Sequence, residues 1–173
     1  IRYYPVDASL RPVFLPEIAR TEWVYLINYY GQYQKSEICE WAEQFHLILD
    51  NVQAFYTKPL DGLDTVYTCR KFFGVPDGAY LYTESVLPEE LEQDSSCTRL
   101  EYLMGRFEHS ANAFYGAYQQ HEEQLGTLPI RWMSKGTHNL LRTIDYERAK
   151  HARENNFAYL HKGFGAVNRL NVR

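Results

Sequence analysis

Cysteine is scarce in this chain: Cys39, Cys69 and Cys97 are the only three in 173 residues, with no Cys-x-x-Cys spacing and no mixed Cys/His cluster. So odd and dispersed a set indicates neither a disulfide framework nor a structural zinc site, and thiols of this kind suit a reducing cytoplasm. Positive charge is also in short supply. Eighteen Lys and Arg stand against 22 Asp and Glu, a net charge of −4, with a pI near 5.9. Such a chain has no basic field to draw nucleic acid or an anionic membrane surface by counterion release, and neither is an expected partner. Apolar runs such as Trp23 to Ile27 fall far short of the roughly 18 residues that span a bilayer, and no signal-peptide pattern opens the sequence. There is no internal repeat and no low-complexity tract. The first residue is Ile1 and not Met, which points to a fragment or a processed chain.

What is present is ordinary for a globular protein, with 45% hydrophobic and 23% charged residues. One domain over residues 1–173 is expected, with a sizeable core. The 15 Tyr and 9 Phe are spread along the chain without interleaved Lys or Arg, as packing material is. His109, His121, His138, His151 and His161 repeat no single ligand geometry, so they read as surface or packing residues and no metal site is expected.

Residues 1–16, with three prolines and no sustained period, read as an extended lead-in. The run Trp23-Val-Tyr-Leu-Ile27 predicts a buried strand followed by a loop at Asn28-Tyr-Tyr-Gly31. Ser36 is placed to cap a helix carrying Ile38, Trp41, Ala42 and Phe45 on one face. His46-Leu-Ile-Leu-Asp50 predicts a second strand, making a right-handed crossover unit. Two short strands follow, at Thr65-Val-Tyr-Thr68 and Gly78-Ala-Tyr-Leu-Tyr-Thr83, on either side of a turn at Val75-Pro-Asp-Gly78. Glu89, Glu90 and Glu92 near Pro88 read as a solvated first turn of a helix. Leu100, Leu103, Met104, Phe107, Ala111, Phe114 and Tyr118 recur at helical spacing and predict one long helix from Ser95 to about Gln120. Ser134 and Asp145 are placed to cap two further helices, through Leu140 and Tyr159. Strands early and helices late predict an α/β fold, a mostly parallel sheet flanked by helices.

In open α/β sheets, functional groups collect beyond the carboxyl ends of the strands, where the loops converge. Three segments end in this way: Asn28-Tyr-Tyr-Gly31, Asp50-Asn-Val-Gln53 and Thr68-Cys-Arg-Lys71. Asp50 and Lys71, 21 positions apart, are thereby candidates for one pocket. The plain alternative for Asp50 is a turn residue at the end of a strand, and for Lys71 a solvated lysine.

The segment Leu47-Ile-Leu-Asp-Asn-Val-Gln-Ala-Phe55 resembles the strand and Asp-x-x-Gln/His motif of fold-type I pyridoxal-phosphate (PLP) enzymes, especially the sugar aminotransferases of the DegT/DnrJ kind. Tyr67-Thr-Cys-Arg-Lys-Phe-Phe-Gly-Val-Pro-Asp-Gly-Ala-Tyr-Leu81 is similar to their lysine loop, and with Val24-Tyr-Leu-Ile-Asn-Tyr-Tyr-Gly31 these segments occur in the family's order. The resemblance implies a central part of a PLP-transferase large domain of the aspartate-aminotransferase kind, with the first strand region and the carboxyl-terminal small domain absent. It implies that Lys71 bonds the cofactor and moves protons, with Arg70 as a neighbouring cation, and that Asp50 keeps the pyridine nitrogen protonated. Gln53 would hydrogen-bond the phenolic oxygen or stack nearby, and Thr68 would donate to the phosphate. Asn28 stands where many relatives have His, as a cofactor neighbour or as a plain loop-forming Asn.

The activity so implied moves an amino group from a donor such as glutamate to a keto sugar, one attached to a nucleotide, in a homodimer with its cofactor pocket between subunits. Two alternatives stay open. One is other PLP chemistry, a dehydratase or an enzyme acting on amino acids; the other is a truncated, noncatalytic homologue.

Overall fold

A computed structural model of the chain describes residues 1–15, 17–87 and 90–169. It is an α/β protein whose contacts divide into two compact units. The first comprises Ile1–Tyr67, Leu81–Glu84 and Asp145–Arg173, and the second Thr68–Tyr80 and Ser85–Ile144. An open four-stranded sheet runs β1 (Trp23–Ile27), β2 (His46–Asp50), β3 (Asp64–Thr68), β4 (Ala79–Tyr82). β1 and β2 are parallel, with Trp23 opposite His46 and Ile27 opposite Asp50. β3 is parallel to β2, with Ile48 opposite Asp64 and Asp50 opposite Val66. Cys69 donates its N–H to Gly78 O and Thr83 its hydroxyl to Asp64 Oδ1. These two pairings climb one partner while descending the other, so β4 runs back along β3.

The expected strands all form because each is a short, β-rich apolar run bounded by polar turns. In the first unit, alternate residues Val24, Leu26, Leu47 and Leu49 point into one core with Tyr33, Ile38 and Leu63, all below 9% exposed. Each fully buried Leu here contributes about 1.5–3 kcal/mol of transfer free energy. The opposite residues of β1, Trp23 and Tyr25, remain exposed.

The crossover helix α1 (Lys35–Gln44) lies between β1 and β2 in the chain. Its cap differs from expectation. Gln34, not Ser36, is the N-cap, because the Glu37 carboxylate reaches back to Gln34 N–H at 2.7 Å while the Gln34 side chain accepts from the Glu37 backbone. Ser36 is the second residue of the helix, within its first turn, and exposed. Glu37 also binds Arg11 Nε at 2.8 Å, and Phe14 packs its ring on Trp41 and Phe45, so the amino-terminal segment is fastened over this helix. Tyr4 closes part of the β1 edge: its hydroxyl donates to Tyr25 O at 2.9 Å and accepts from Ile27 N–H at 3.3 Å.

In the second unit the expected long helix is two, α2 (Glu101–Glu108) and α3 (Tyr115–Leu125), preceded by a 3-10 turn at Cys97–Arg99. His109 leaves helical geometry at φ −126°, ψ −97°. The following Ser110 turns the chain by accepting Ala113 N–H, and Phe114 folds back with its ring against Gly105 and stacked on His109. Apolar spacing registers the two helical faces but not this local side-chain competition for the backbone. Glu90 and Glu92 are likewise outside any helix: Glu92 O accepts Trp132 N–H, and its carboxylate pairs with Arg131 at 3.2 Å. Pro88 and Glu89 lie outside the described residues. α4 (Lys135–Arg142) and α5 (Tyr146–Phe164) are capped by Ser134 and Asp145, which accept from Thr137 N–H and Arg148 N–H. No helix of the described residues is long and apolar enough to cross a membrane.

Candidate functional site

Asn28, Asp50 and Gln53 belong to the first unit, Thr68 and Lys71 to the second. Beyond the ends of the first unit's strands the side chains form a relay. The Asn28 amide donates to Asn51 Oδ1 at 2.9 Å, Asn51 Nδ2 donates to the Tyr67 oxygen at 3.3 Å, and the Tyr67 hydroxyl donates to Thr57 O at 2.9 Å. Asn28 Oδ1 accepts Tyr33 N–H at 3.2 Å. Asn28 and Asn51 are both 0% exposed. The Asn28 amide is therefore engaged in holding the turn after β1, the second of the two roles open to it from the sequence. That turn is sharp, since Tyr30 and Gly31 both have positive φ, 56° and 72°, a conformation that costs a non-glycine residue energy unless its surroundings fix it.

Asp50 sits one position before this relay and faces the other side of the sheet, 6% exposed. Its Oδ1 accepts Val52 N–H at 2.7 Å, the turn role open to it from the sequence. The Tyr25 hydroxyl is pushed up to about 12 by burial, by the Asp50 charge and by a hydrogen bond to that carboxylate. Among the described residues no Lys or Arg pairs with Asp50. A buried carboxylate with four acceptor positions keeps capacity for one more donor, most favourably a cationic one. Gln53 is half-buried in the turn that follows.

In the second unit, Thr68 ends β3 and is half-buried, and Lys71 is exposed in the loop after it. Cys69 anchors that loop from within, accepting both Phe72 N–H and Phe73 N–H at its carbonyl. Its own thiol is pushed up to about 12 by burial and then by the Asp77 charge. Arg70 forms an ion pair with Glu122 of α3, so it faces away from service as a free cation.

The loop's far end carries a cluster the sequence did not signal. Asp77, 6% exposed, accepts from Ser96 Oγ at 2.6 Å, from Arg99 Nη2 at 2.7 Å and Nε at 3.0 Å, and from the Thr137 hydroxyl. Ser134 touches Ser96, and Arg99 also pairs with Asp94. Nearby lies an open cavity of about 320 Å³ bordered by Ser95, Cys97, Leu100, Lys135 and Leu140. The residues of this cluster come from positions 77 to 137, too scattered for any spacing rule to gather. His121, 4% exposed, places Nε2 on Pro76 O.

Comparison with family models, with curated proteins and with solved structures gives no match.

Proposed function

We propose that this chain is part of a PLP-dependent aminotransferase, an incomplete large domain of the PLP-transferase kind that moves an amino group from an amino acid to a keto sugar. The observation that carries the proposal is Asp50: a carboxylate 6% exposed at the end of a central parallel strand, with no cation among the described residues to balance it. Val52 N–H and the Tyr25 hydroxyl already reach that carboxylate, and a protonated ring nitrogen would add the counter-charge that neither of them supplies.

When bound, PLP supplies the electron sink that amino-group transfer requires. Asp50 would accept the ring N–H, with Tyr25 steadying the carboxylate from its other side. Gln53 would donate to the phenolic oxygen, and Thr68 would offer its hydroxyl to the phosphate. Lys71 would bond the cofactor through Nζ and afterwards carry a proton on the same atom. The amide of Asn28 has no place in this set, since it holds the turn after β1. The homodimer follows from the same resemblance.

A second reading, a noncatalytic homologue, is favoured by the exposure of Lys71. A lysine that is merely solvated has that environment, whereas a catalytic amine is usually shielded. Titration of the chain with PLP separates the two. The proposal expects a visible absorption band that Lys71→Ala abolishes and Asp50→Ala weakens, with borohydride fixing the cofactor's mass on the peptide containing Lys71. No band, or a band and a label on a different lysine, overturns it.

A further inference from the structure

Two aspartates of the chain precede a glycine, Asp61-Gly62 and Asp77-Gly78, and no asparagine does. Such a dipeptide carries its own chemistry. A glycine has no Cβ to shield its backbone nitrogen, so that nitrogen can attack the carboxyl carbon of the aspartate before it. The fold then decides the outcome, by leaving the carboxyl group free to swing toward the nitrogen or by holding it away.

The two pairs differ in this respect. Asp77 is buried, with Oδ1 accepting from Thr137 and Oδ2 from Ser96 and Arg99. Its carboxyl group cannot leave that network without stranding the Arg99 charge. Gly78 is crowded as well, since a Cβ there would stand 2.9 Å from Thr137 Cγ2. Asp61, in contrast, is exposed, and neither its carboxylate nor the Gly62 N–H has a hydrogen-bond partner among the described residues. The pair forms the corner of a turn closed by Leu63 N–H on Leu60 O at 3.2 Å, with Gly62 at φ 74° and nothing within 4 Å of where its Cβ would be.

We infer that Asp61-Gly62 is a site of spontaneous covalent modification, at which Asp61 is converted to isoaspartate while Asp77 is protected by its partners. The Gly62 nitrogen bonds to Asp61 Cγ; its proton leaves with the carboxyl hydroxyl as water, and a succinimide ring closes. Water then reopens the ring. Addition at the former backbone carbonyl breaks its bond to the Gly62 nitrogen, so the main chain now runs through Cβ and Cγ and the backbone carboxyl becomes the free carboxylate. One water leaves and one returns, so mass is unchanged and no further reactant is needed. The main chain gains a carbon between Leu60, which packs on the first unit's core, and Leu63, which belongs to it. The bond closing the turn is thereby lost just before β3 begins at Asp64. None of this involves Lys71, Asp50 or a cofactor.

Peptide mapping of the full chain tests the assignment, with fragmentation that distinguishes aspartate from isoaspartate. Native and denatured samples are held at neutral pH and warm temperature until the denatured chain shows isoaspartate at both positions. The native chain is expected to show it at 61 and not at 77, and Asp61→Glu, whose longer side chain would have to close a larger ring, to show none at 61. Isoaspartate absent from position 61 of the native chain, or as abundant at 77 as at 61, overturns the proposal. Hydrogen exchange at Leu63 N–H should be faster in the isomerised fraction than in the fresh chain, and an unchanged rate overturns the loosening of the turn.

Discussion

Asp77 receives Arg99 through two donors on one oxygen, Nη2 at 2.7 Å and Nε at 3.0 Å, with side chains only 8% and 10% exposed. Burial of both partners makes this pair dangerous to break from one side, because the remaining charge is left without compensation. Asp77→Ala should lower stability by about 3–5 kcal/mol, and more than Asp77→Asn, whose amide oxygen still accepts. Equilibrium urea unfolding reads the difference. An Asp77→Ala midpoint equal to that of the native chain would show that Arg99 re-pairs fully with Asp94.

Acid should loosen the second unit through His121. Burial holds this imidazole below its ordinary range, outweighing the hydrogen bond to Pro76 O, and its Nδ1 has no partner among the described residues. The folded chain therefore binds the proton more weakly than the unfolded chain does. The stabilising contribution is complete above the unfolded histidine value, about 6.5, and declines as pH falls below it. Asp94 acts in the same sense but lower: burial opposes its charge, Arg99 and the Ser95 N–H overcome that, and its contribution is lost as pH falls below the ordinary aspartate value, about 3.9. Unfolding free energies at pH 7, 6 and 5 should fall in the native chain and change less in His121→Phe.

The three thiols should react unequally. Cys39 and Cys97 are exposed and Cys69 is buried, with its thiol pushed up to about 12. At pH 8 a disulfide-exchange reagent should titrate two thiols in the native chain and three in denaturant, because thiolate and access are both required. Three equivalents titrated rapidly without denaturant would mean that Cys69 opens readily to solvent.

Two glycine substitutions should have opposite signs. A Cβ on Gly105 would stand 2.3 Å from the Phe114 ring, while a Cβ on Gly116 meets nothing within 4 Å. Gly105→Ala is expected to displace Phe114 from its stack on His109 and cost about 1–3 kcal/mol. Gly116→Ala should instead gain up to about 0.5–1 kcal/mol from helix propensity. Thermal unfolding of the two variants side by side decides the matter.

Removing the Asn51 amide should release three strand ends at once. Asn51→Leu keeps the branching of the side chain but leaves the Asn28 N–H and the Tyr67 oxygen without their buried partner, at about 1–3 kcal/mol for each group stranded. Hydrogen exchange at Tyr33 N–H, which depends on Asn28, should accelerate in step with the loss of stability.

Short-range information in the sequence was sufficient for the strands. Val24, Leu26, Leu47 and Leu49 alternate with residues on the other face, and the polar turns at Asn28 and Asp50 end both strands where expected. Ser134 and Asp145 cap as their chemistry dictates. Competition between nearby side chains was not legible: Gln34 prevails over Ser36 because Glu37 answers it, and Phe114 breaks a continuous apolar stripe by turning onto Gly105. Asp50 and Lys71 could be singled out as residues at strand ends, yet nothing local foretold Asn51 bridging Asn28 to Tyr67, or Asp77 drawing in Ser96, Arg99 and Thr137. Those contacts join positions 16 to 60 apart, and pattern rules reach about one helical turn or one strand pair.

The phenol of Tyr4 occupies the donor at Ile27 and the acceptor at Tyr25 on the outermost strand. Without it those two backbone groups would sit ready to recruit an extended peptide from any neighbouring chain. Shortening the protein at its amino end would thus trade a single aromatic hydroxyl for a sticky margin, and recombinant versions begun after that residue should precipitate or form fibrils at concentrations where the longer version stays dispersed.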